Sequence, residues 1–212
     1  LAVRLLDPGA EGVDQISRIL DEYSGLAAVH LVSHGSAGEL QLGSGRLDAQ
    51  TLASARADIA GWGRALAADG DLLLYACDLA GNAEGRALVG ELAALTGADV
   101  AASDNLTGNA LRGGDWVFEY QVGEVTAGVV FGTSLQAQWG GTLATYTVTN
   151  LDDAGAGSLR EALGLATLSG DIVNFDAGLA GQINLLSALP TISVAIILDG
   201  TTALGWSNNN PT

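Results

Sequence analysis

Three short apolar runs, residues 26–33 (LAAVHLVS), 72–76 (LLLYA) and 98–102 (ADVAA), alternate with stretches of helical spacing, and this alternation limits the fold more than any other feature. A run that is apolar at successive positions becomes a stable strand when both its faces are covered, as in a parallel sheet. Ahead of the first run, Val13, Ile16, Leu20 and Tyr23 recur at helical spacing. Between the first and second, residues 39–47 alternate about Gly43-Ser44-Gly45 as a small hairpin. Asp48 then caps a long helix whose stripe is Leu52, Ala55, Ile59, Trp62 and Leu66. Before the third run, Asn82 caps a helix with Leu88, Leu92 and Leu95 inward, closed by Gly97. Residues 1–6 read as a further strand that stops at Asp7-Pro8-Gly9. Strand, helix and strand in this order predict right-handed crossovers: an α/β fold with a mostly parallel sheet and helices on both faces.

After Asp115 the pattern changes. Residues 116–125 read as a strand or hairpin, and the stretch 126–144, rich in Gly, Ser and Gln, reads as a linker. The expected organisation is therefore an α/β domain over 1–125, a linker over 126–144 and a short all-β segment over 145–212. In the last part, residues 145–150, 172–175, 182–185 and 195–198 read as strands between Gly, Asp, Asn and Pro turns, interrupted by a short helix over 158–166. Such spacing fits the start of a solenoid, whose coils need stacked neighbours.

Composition excludes several classes. Hydrophobic residues at 48% exclude general disorder, and no apolar run approaches the ~18 residues of a membrane span. All eight basic residues are arginines against 24 acidic ones, and a net charge of −16 repels nucleic acid and anionic lipid. Neither nucleic-acid binding nor membrane insertion is expected. The single cysteine rules out an internal disulfide, and with only two histidines the chain holds no closed zinc site. No cofactor is expected. Asp152-Asp153 and Asp199-Gly200 lie in turns whose oxygens suit calcium, but they match no calcium loop and no site is assigned. Strong acidity, 30 glycines and the absence of lysine and methionine suit a secreted protein of the bacterial cell surface, of which these residues are a piece.

Two of the apolar runs end in reactive side chains. Residues 29–35 (VHLVSHG) finish at His34-Gly35, and residues 71–78 (DLLLYACD) at Cys77-Asp78. Ligands of open α/β sheets bind outside the carboxyl ends of the strands, so a thiol and an imidazole are expected side by side there. A thiol attacks a carbonyl as the thiolate; the imidazole takes its proton, and backbone N–H groups hold the oxyanion. Cys77 is the candidate nucleophile and His34 the candidate base. The N–H groups of Gly35 and Cys77 are the candidate oxyanion donors. Taken singly, a cysteine or a histidine at a strand end is more often a packed structural residue. His30 lies about 13 Å from His34 along a strand and reads as structural. Asp78 and Asp104 follow the ends of their strands and are candidates for binding a basic substrate side chain, although turn or cap carboxylates are the commoner explanation.

Ser33-His34-Gly35 and Ala76-Cys77 together resemble the paired strand ends of caspase-like cysteine peptidases, the group of caspases, gingipains, separases and CHAT proteins. That resemblance, over residues 1–105, implies a caspase-like fold and a Cys–His dyad. Leu5-Leu6-Asp7-Pro8, residues 29–42 (VHLVSHGSAGELQL), 72–78, 95–104 (LTGADVAASD) and Gly113-Gly114-Asp115-Trp116 are similar to the running pattern of DUF4347, a domain of large bacterial surface proteins. Residues 146–162 (YTVTNLDDAGAGSLREA), 171–175, 181–190 and 197–200 resemble the opening of right-handed parallel β-helix domains, where the Ser-Leu-Arg-Glu-Ala segment forms a capping helix before the first coils. These resemblances imply a cysteine endopeptidase within an adhesin-like surface protein, acting on peptide and, in one version, on its own polypeptide. The alternative is a non-catalytic structural or adhesive module of an extracellular fibre, whose partners are the rest of its chain or other copies of itself.

Overall fold

The computed structural model describes residues 1–167 and 171–203, which fall into two compact units, Leu1–Ala144 and Thr145–Thr212. Residues 126–144 belong to the first.

Unit 1 opens with helix α1 (Gly12–Leu20), followed by strand β1 (Leu26–Val32). An antiparallel ladder of β2 (Gly35–Ser36), β3 (Glu39–Leu42) and β4 (Gly45–Leu47) comes next, so residues 39–47 do form a hairpin. Helices α2 (Ala49–Ser54) and α3 (Arg56–Trp62) lead into β5 (Leu66–Tyr75), α4 (Ala83–Thr96) and β6 (Asp99–Ala102). A turn of 3₁₀ helix (Ala110–Arg112), β7 (Tyr120–Val122) and α5 (Thr133–Gln138) complete the unit. The main sheet has the order β1-β5-β6-β7; the first three strands are parallel and β7 is an antiparallel edge.

The helix ends lie where the capping chemistry puts them. Asp48 accepts from Thr51 N–H at 2.8 Å and Asn82 from Gly85 N–H at 2.7 Å, while Gly97 closes α4 in the left-handed conformation at φ 71°. The single long helix expected after Asp48 is instead two, broken at Ala55, whose backbone at φ −102° and ψ 19° leaves the helical region.

Alternation along β5 separates two layers. Leu72, Leu74 and Ala76 join the core built from Val13, Ile16, Ile59, Trp62, Leu88 and Leu92 of α1, α3 and α4. Trp62 Nε1–H donates to Ser17 Oγ at 2.8 Å and ties α3 to α1. On the opposite face, Tyr75 packs edge-on against Phe118 and Phe131, and Asp71 accepts from Thr126 N–H and Ala127 N–H. That face is covered by residues 116–131, which contain no helix, in place of the second helical layer that strand–helix alternation predicts. The reason is local: this segment supplies aromatic rings and backbone donors to Tyr75 and Asp71, and both demands are met without helical periodicity.

Strand β1 also departs from expectation. Its run is apolar on both faces, yet it lies at the sheet edge and is mostly half-buried, with Val32 44% exposed. Residues 1–6 form no strand, and Leu1, Val3 and Leu5 are exposed. A lone extended segment has no ladder bonds of its own.

In unit 2, β8 (Thr145–Val148), β9 (Ile172–Phe175) and β10 (Ile197–Asp199) form a parallel sheet with β9 in the middle. Thr145 and Ile197 both pair with Ile172, so each return of the chain enters the sheet in step. Helix α6 (Leu159–Leu165) begins at Ser158, whose Oγ accepts from Glu161 N–H at 3.2 Å, while Glu161 accepts from Gly157 N–H at 2.6 Å. Val148, Ala162, Leu163, Ala166 and Val173 make its core. Residues 182–185 form no strand. Asp153 of the turn considered for calcium is paired with Arg160 at 2.6 Å, which holds its carboxyl below the usual carboxylate range.

Candidate active site

The parallel register of β1 and β5 decides what meets beyond their ends. Val32 pairs with Tyr75, and Ser33 N–H continues the ladder to Tyr75 O at 3.0 Å, so His34-Gly35 and Ala76-Cys77 emerge next to one another. His34 is fixed through its carbonyl, which accepts from Gln41 N–H at 2.9 Å, and through Ser33 Oγ, which donates to Gln41 O. Gly35 lies so close to β5 that a β-carbon there would sit 2.7 Å from both Ala76 Cβ and Glu39 O. Glycine is required for this approach, and it brings the Gly35 backbone beside Cys77.

The Cys77 side chain is fully buried. Its sulfur accepts from Thr107 N–H at 3.2 Å and donates to Thr107 O at 3.5 Å. Burial pushes the thiol up to about 11; the Thr107 N–H opposes this, the Asp78 charge adds to it, and the Leu143 N–H and Thr142 hydroxyl oppose it further.

Residues 141–144 form the remaining wall. Asn109 N–H donates to Gly141 O at 2.8 Å, Thr142 bridges Gly108 in antiparallel sense, and Leu143 N–H donates to Thr107 O at 2.9 Å. Gly35 N–H then donates to Leu143 O at 2.9 Å, Ala144 bridges Gly35 in parallel sense, and His34 Nδ1 is 3.0 Å from Ala144 O. A carbonyl only accepts, so Nδ1 carries the proton in this bond, and in the neutral imidazole the free lone pair is on Nε2. Thr142, Leu143 and Ala144 are all buried. An extended stretch of the chain therefore lies between the His34-Gly35 loop and the Thr107-Gly108 loop, with Leu143 tied to Thr107, the residue that holds the Cys77 sulfur.

His34, Gly35 and Cys77 are thus brought together, although the bonds of the imidazole and thiol run to Ala144 and Thr107 and not to each other. Asp78 and Asp104 lie by the ends of β5 and β6. Asp78 takes a left-handed backbone at φ 55°, and its N–H donates to Asn105 O at 2.7 Å. Burial, then the Asp104 charge, raises its carboxyl above the usual range. Asp104 itself is paired with Arg86 at 3.4 Å, and that guanidinium also lies over the Tyr120 ring. His30 is bonded to Tyr75 Oη at 3.0 Å, which fits the structural role read from sequence. Among the described residues no group of three or more His, Cys, Asp or Glu is placed to hold a metal ion, and no helix is long and apolar enough to cross a membrane.

Thr107, Gly108 and residues 142–144 carry no mark of function in the sequence. The nearest signal is Gly108, whose φ of 136° and close approach to Gly141 exclude a side chain, but a lone glycine in a loop does not announce this.

The pattern of the family described as domain of unknown function DUF4347 matches residues 1–143. The chain belongs to the DUF4347 family. The match ends at Leu143, the residue whose carbonyl is held by Gly35. Neither curated proteins nor solved structures gave a match to this DUF4347 chain.

Proposed function

We propose that the DUF4347 unit is a caspase-like cysteine endopeptidase acting on its own polypeptide, within a larger secreted, adhesin-like protein of the bacterial surface. Cys77 is the nucleophile, His34 the base through Nε2, and the Gly35 N–H an oxyanion donor, with the Cys77 N–H as the second. The observation that carries this reading is the extended stretch 141–144 lying across the strand ends, with the Leu143 carbonyl already on the Gly35 N–H at 2.9 Å. A peptide bound by backbone pairing next to a thiol and an imidazole is the arrangement that acyl transfer to sulfur needs. Part of what surrounds the buried sulfur is that same stretch, since Thr142 and Leu143 lie beside it. Asp78 and Asp104 would then be the carboxylates that meet a basic side chain of peptides arriving from elsewhere. Unit 2 would begin a parallel β-helix, supported by the in-step parallel strands and the Ser158-capped helix.

A second reading is favoured by a different observation. A thiol with no exposed surface, pushed up to about 11, is inert at neutral pH. In that reading the unit is a non-catalytic module of a fibre, and residues 141–144 are simply its last strand.

The two readings separate in one experiment. The purified chain and its Cys77→Ala variant are incubated at pH 7.5, followed by intact mass, and treated with a peptidyl acyloxymethyl ketone. Cleavage or covalent labelling that depends on Cys77 supports the peptidase. Unchanged mass and no label on either protein establishes the structural module.

A further inference from the structure

We infer that the peptide bond between Leu143 and Ala144 is the one this site cuts, so that residues 141–144 are a bound substrate strand and its cleavage breaks the chain one residue before unit 1 ends. The inference rests on the peptidase reading and adds the identity of the substrate and the bond.

The choice of bond follows from which carbonyl is polarised. Among residues 139–144, Trp139 O accepts from the Asn109 side chain and Gly141 O from Asn109 N–H, both on the far loop. Leu143 O alone is bound by the Gly35 N–H, beside the imidazole. The sulfur lies on the other side of the same residue: it is bonded to Thr107 N–H and O, and Thr107 O in turn accepts from the Leu143 N–H at 2.9 Å. Nucleophile and oxyanion donor thus flank one residue, Leu143, and His34 is bonded to the residue that would leave.

The strand is held as a substrate is held. Gly108 at φ 136° admits it so closely that a β-carbon would sit 2.5 Å from Gly141 O and 2.8 Å from Thr142 Cα. The antiparallel bridge to Gly108 and the parallel bridge to Gly35 fix the strand on both sides through backbone groups alone. The bond also falls at a joint of the molecule: Ala144 ends the first compact unit, and the DUF4347 match ends at Leu143. A cut there falls one residue before the first unit ends.

The reaction balances with water as the only co-reactant. His34 Nε2 takes the Cys77 proton as the sulfur bonds to the Leu143 carbonyl carbon, and the electron pair moves onto the oxygen held by Gly35. Collapse breaks the bond to Ala144 nitrogen, which receives the proton from the imidazolium and leaves as a free amine. Water then attacks the thioester, giving the Leu143 carboxylate and restoring the thiol.

The test uses the whole chain, its Cys77→Ala variant and an Ala144→Pro variant, in which the leaving nitrogen becomes a tertiary amide without its N–H. Products are read by intact mass and by N-terminal sequencing, and Cys77 by labelling with the acyloxymethyl ketone. The expected result is a new N-terminus at Ala144 in the parent alone. Cys77-dependent cleavage at another bond overturns this inference and leaves the peptidase standing. So does labelling of Cys77 with no cleavage, since the strand is then not a substrate. Neither cleavage nor labelling overturns both.

Discussion

Gly35 N–H donates to Leu143 O at 2.9 Å, and the room for that bond exists because residue 35 has no side chain. A β-carbon there would meet Ala76 Cβ and Glu39 O, each at 2.7 Å. Gly35→Ala should therefore cost about 1–3 kcal/mol, as overpacking of a close-packed interior does, and lower the melting temperature by about 2–4 °C per kcal/mol. Gly90 in α4 is the control: nothing lies within 4 Å of its built β-carbon, so Gly90→Ala should stabilise by about 0.5–1 kcal/mol. Thermal unfolding of both variants checks the contrast. Equal melting temperatures for the two would mean that the sheet end relaxes around residue 35.

Gly108 controls the other side of the same strand. With φ 136° and a built β-carbon 2.5 Å from Gly141 O, Gly108→Ala should push residues 141–144 off the Thr107-Gly108 loop. The Cys77 thiol loses its cover, so its reaction with a small disulfide reagent at pH 8 should accelerate at least tenfold while the far-ultraviolet circular dichroism stays unchanged. A thiol as slow as in the parent protein would show that the strand does not guard it.

The strand ends were legible in the sequence and the strand across them was not, for a definite reason. His34 and Cys77 stand out because each is a reactive side chain after an apolar run, and Gly35 because it follows the histidine. Helices α1 and α4 were legible through Val13, Ile16 and Leu20 at helical spacing and through the Asn82 and Gly97 caps. Thr142, Leu143 and Ala144 are held by backbone N–H and carbonyl groups that every residue carries, so no side-chain pattern marks them. Position within the sheet was equally hidden: residues 26–33 are apolar enough for a central strand, yet among the described residues β1 is the edge of the sheet, and residues 1–6 form no strand beside it. The cover over Tyr75 and Asp71 escaped because it is made by rings and amides without periodicity.

Asp71 organises that cover. It is fully buried, and one of its carboxylate oxygens accepts from Thr126 N–H at 3.0 Å, Thr126 Oγ1–H at 3.2 Å and Ala127 N–H at 2.7 Å. Asp71→Ala leaves these donors buried without an acceptor and should cost about 3 kcal/mol, since each unmet buried group costs ~1–3 kcal/mol. Asp71→Asn keeps an acceptor oxygen and should cost less. Urea unfolding midpoints of the two variants at equal slope measure the difference; a milder effect for alanine than for asparagine would contradict the role assigned to the carboxylate.

The thiol gives the protein an alkaline limit whose sign is fixed by its environment. Burial, the largest cause, pushes Cys77 up to about 11 from an ordinary 9.0, so the folded state favours the neutral thiol more than the unfolded chain does. Below pH 9 the thiol is neutral in both states and its contribution is fully present. As pH rises from 9 to about 11 the unfolded chain ionises first, and stability falls by ~1.4 kcal/mol per unit, about 2–3 kcal/mol over the window. Tyr75, raised by burial, acts in the same direction at higher pH. Comparing urea unfolding of the parent with Cys77→Ala at pH 7.5, 9 and 10.5 removes the tyrosine contribution, because both proteins carry it. The parent should lose stability more steeply than the variant between pH 9 and 10.5, whatever the variant's starting level. Parallel losses would mean that the thiol ionises at the same pH in the folded as in the unfolded chain, so that its burial does not hold it neutral.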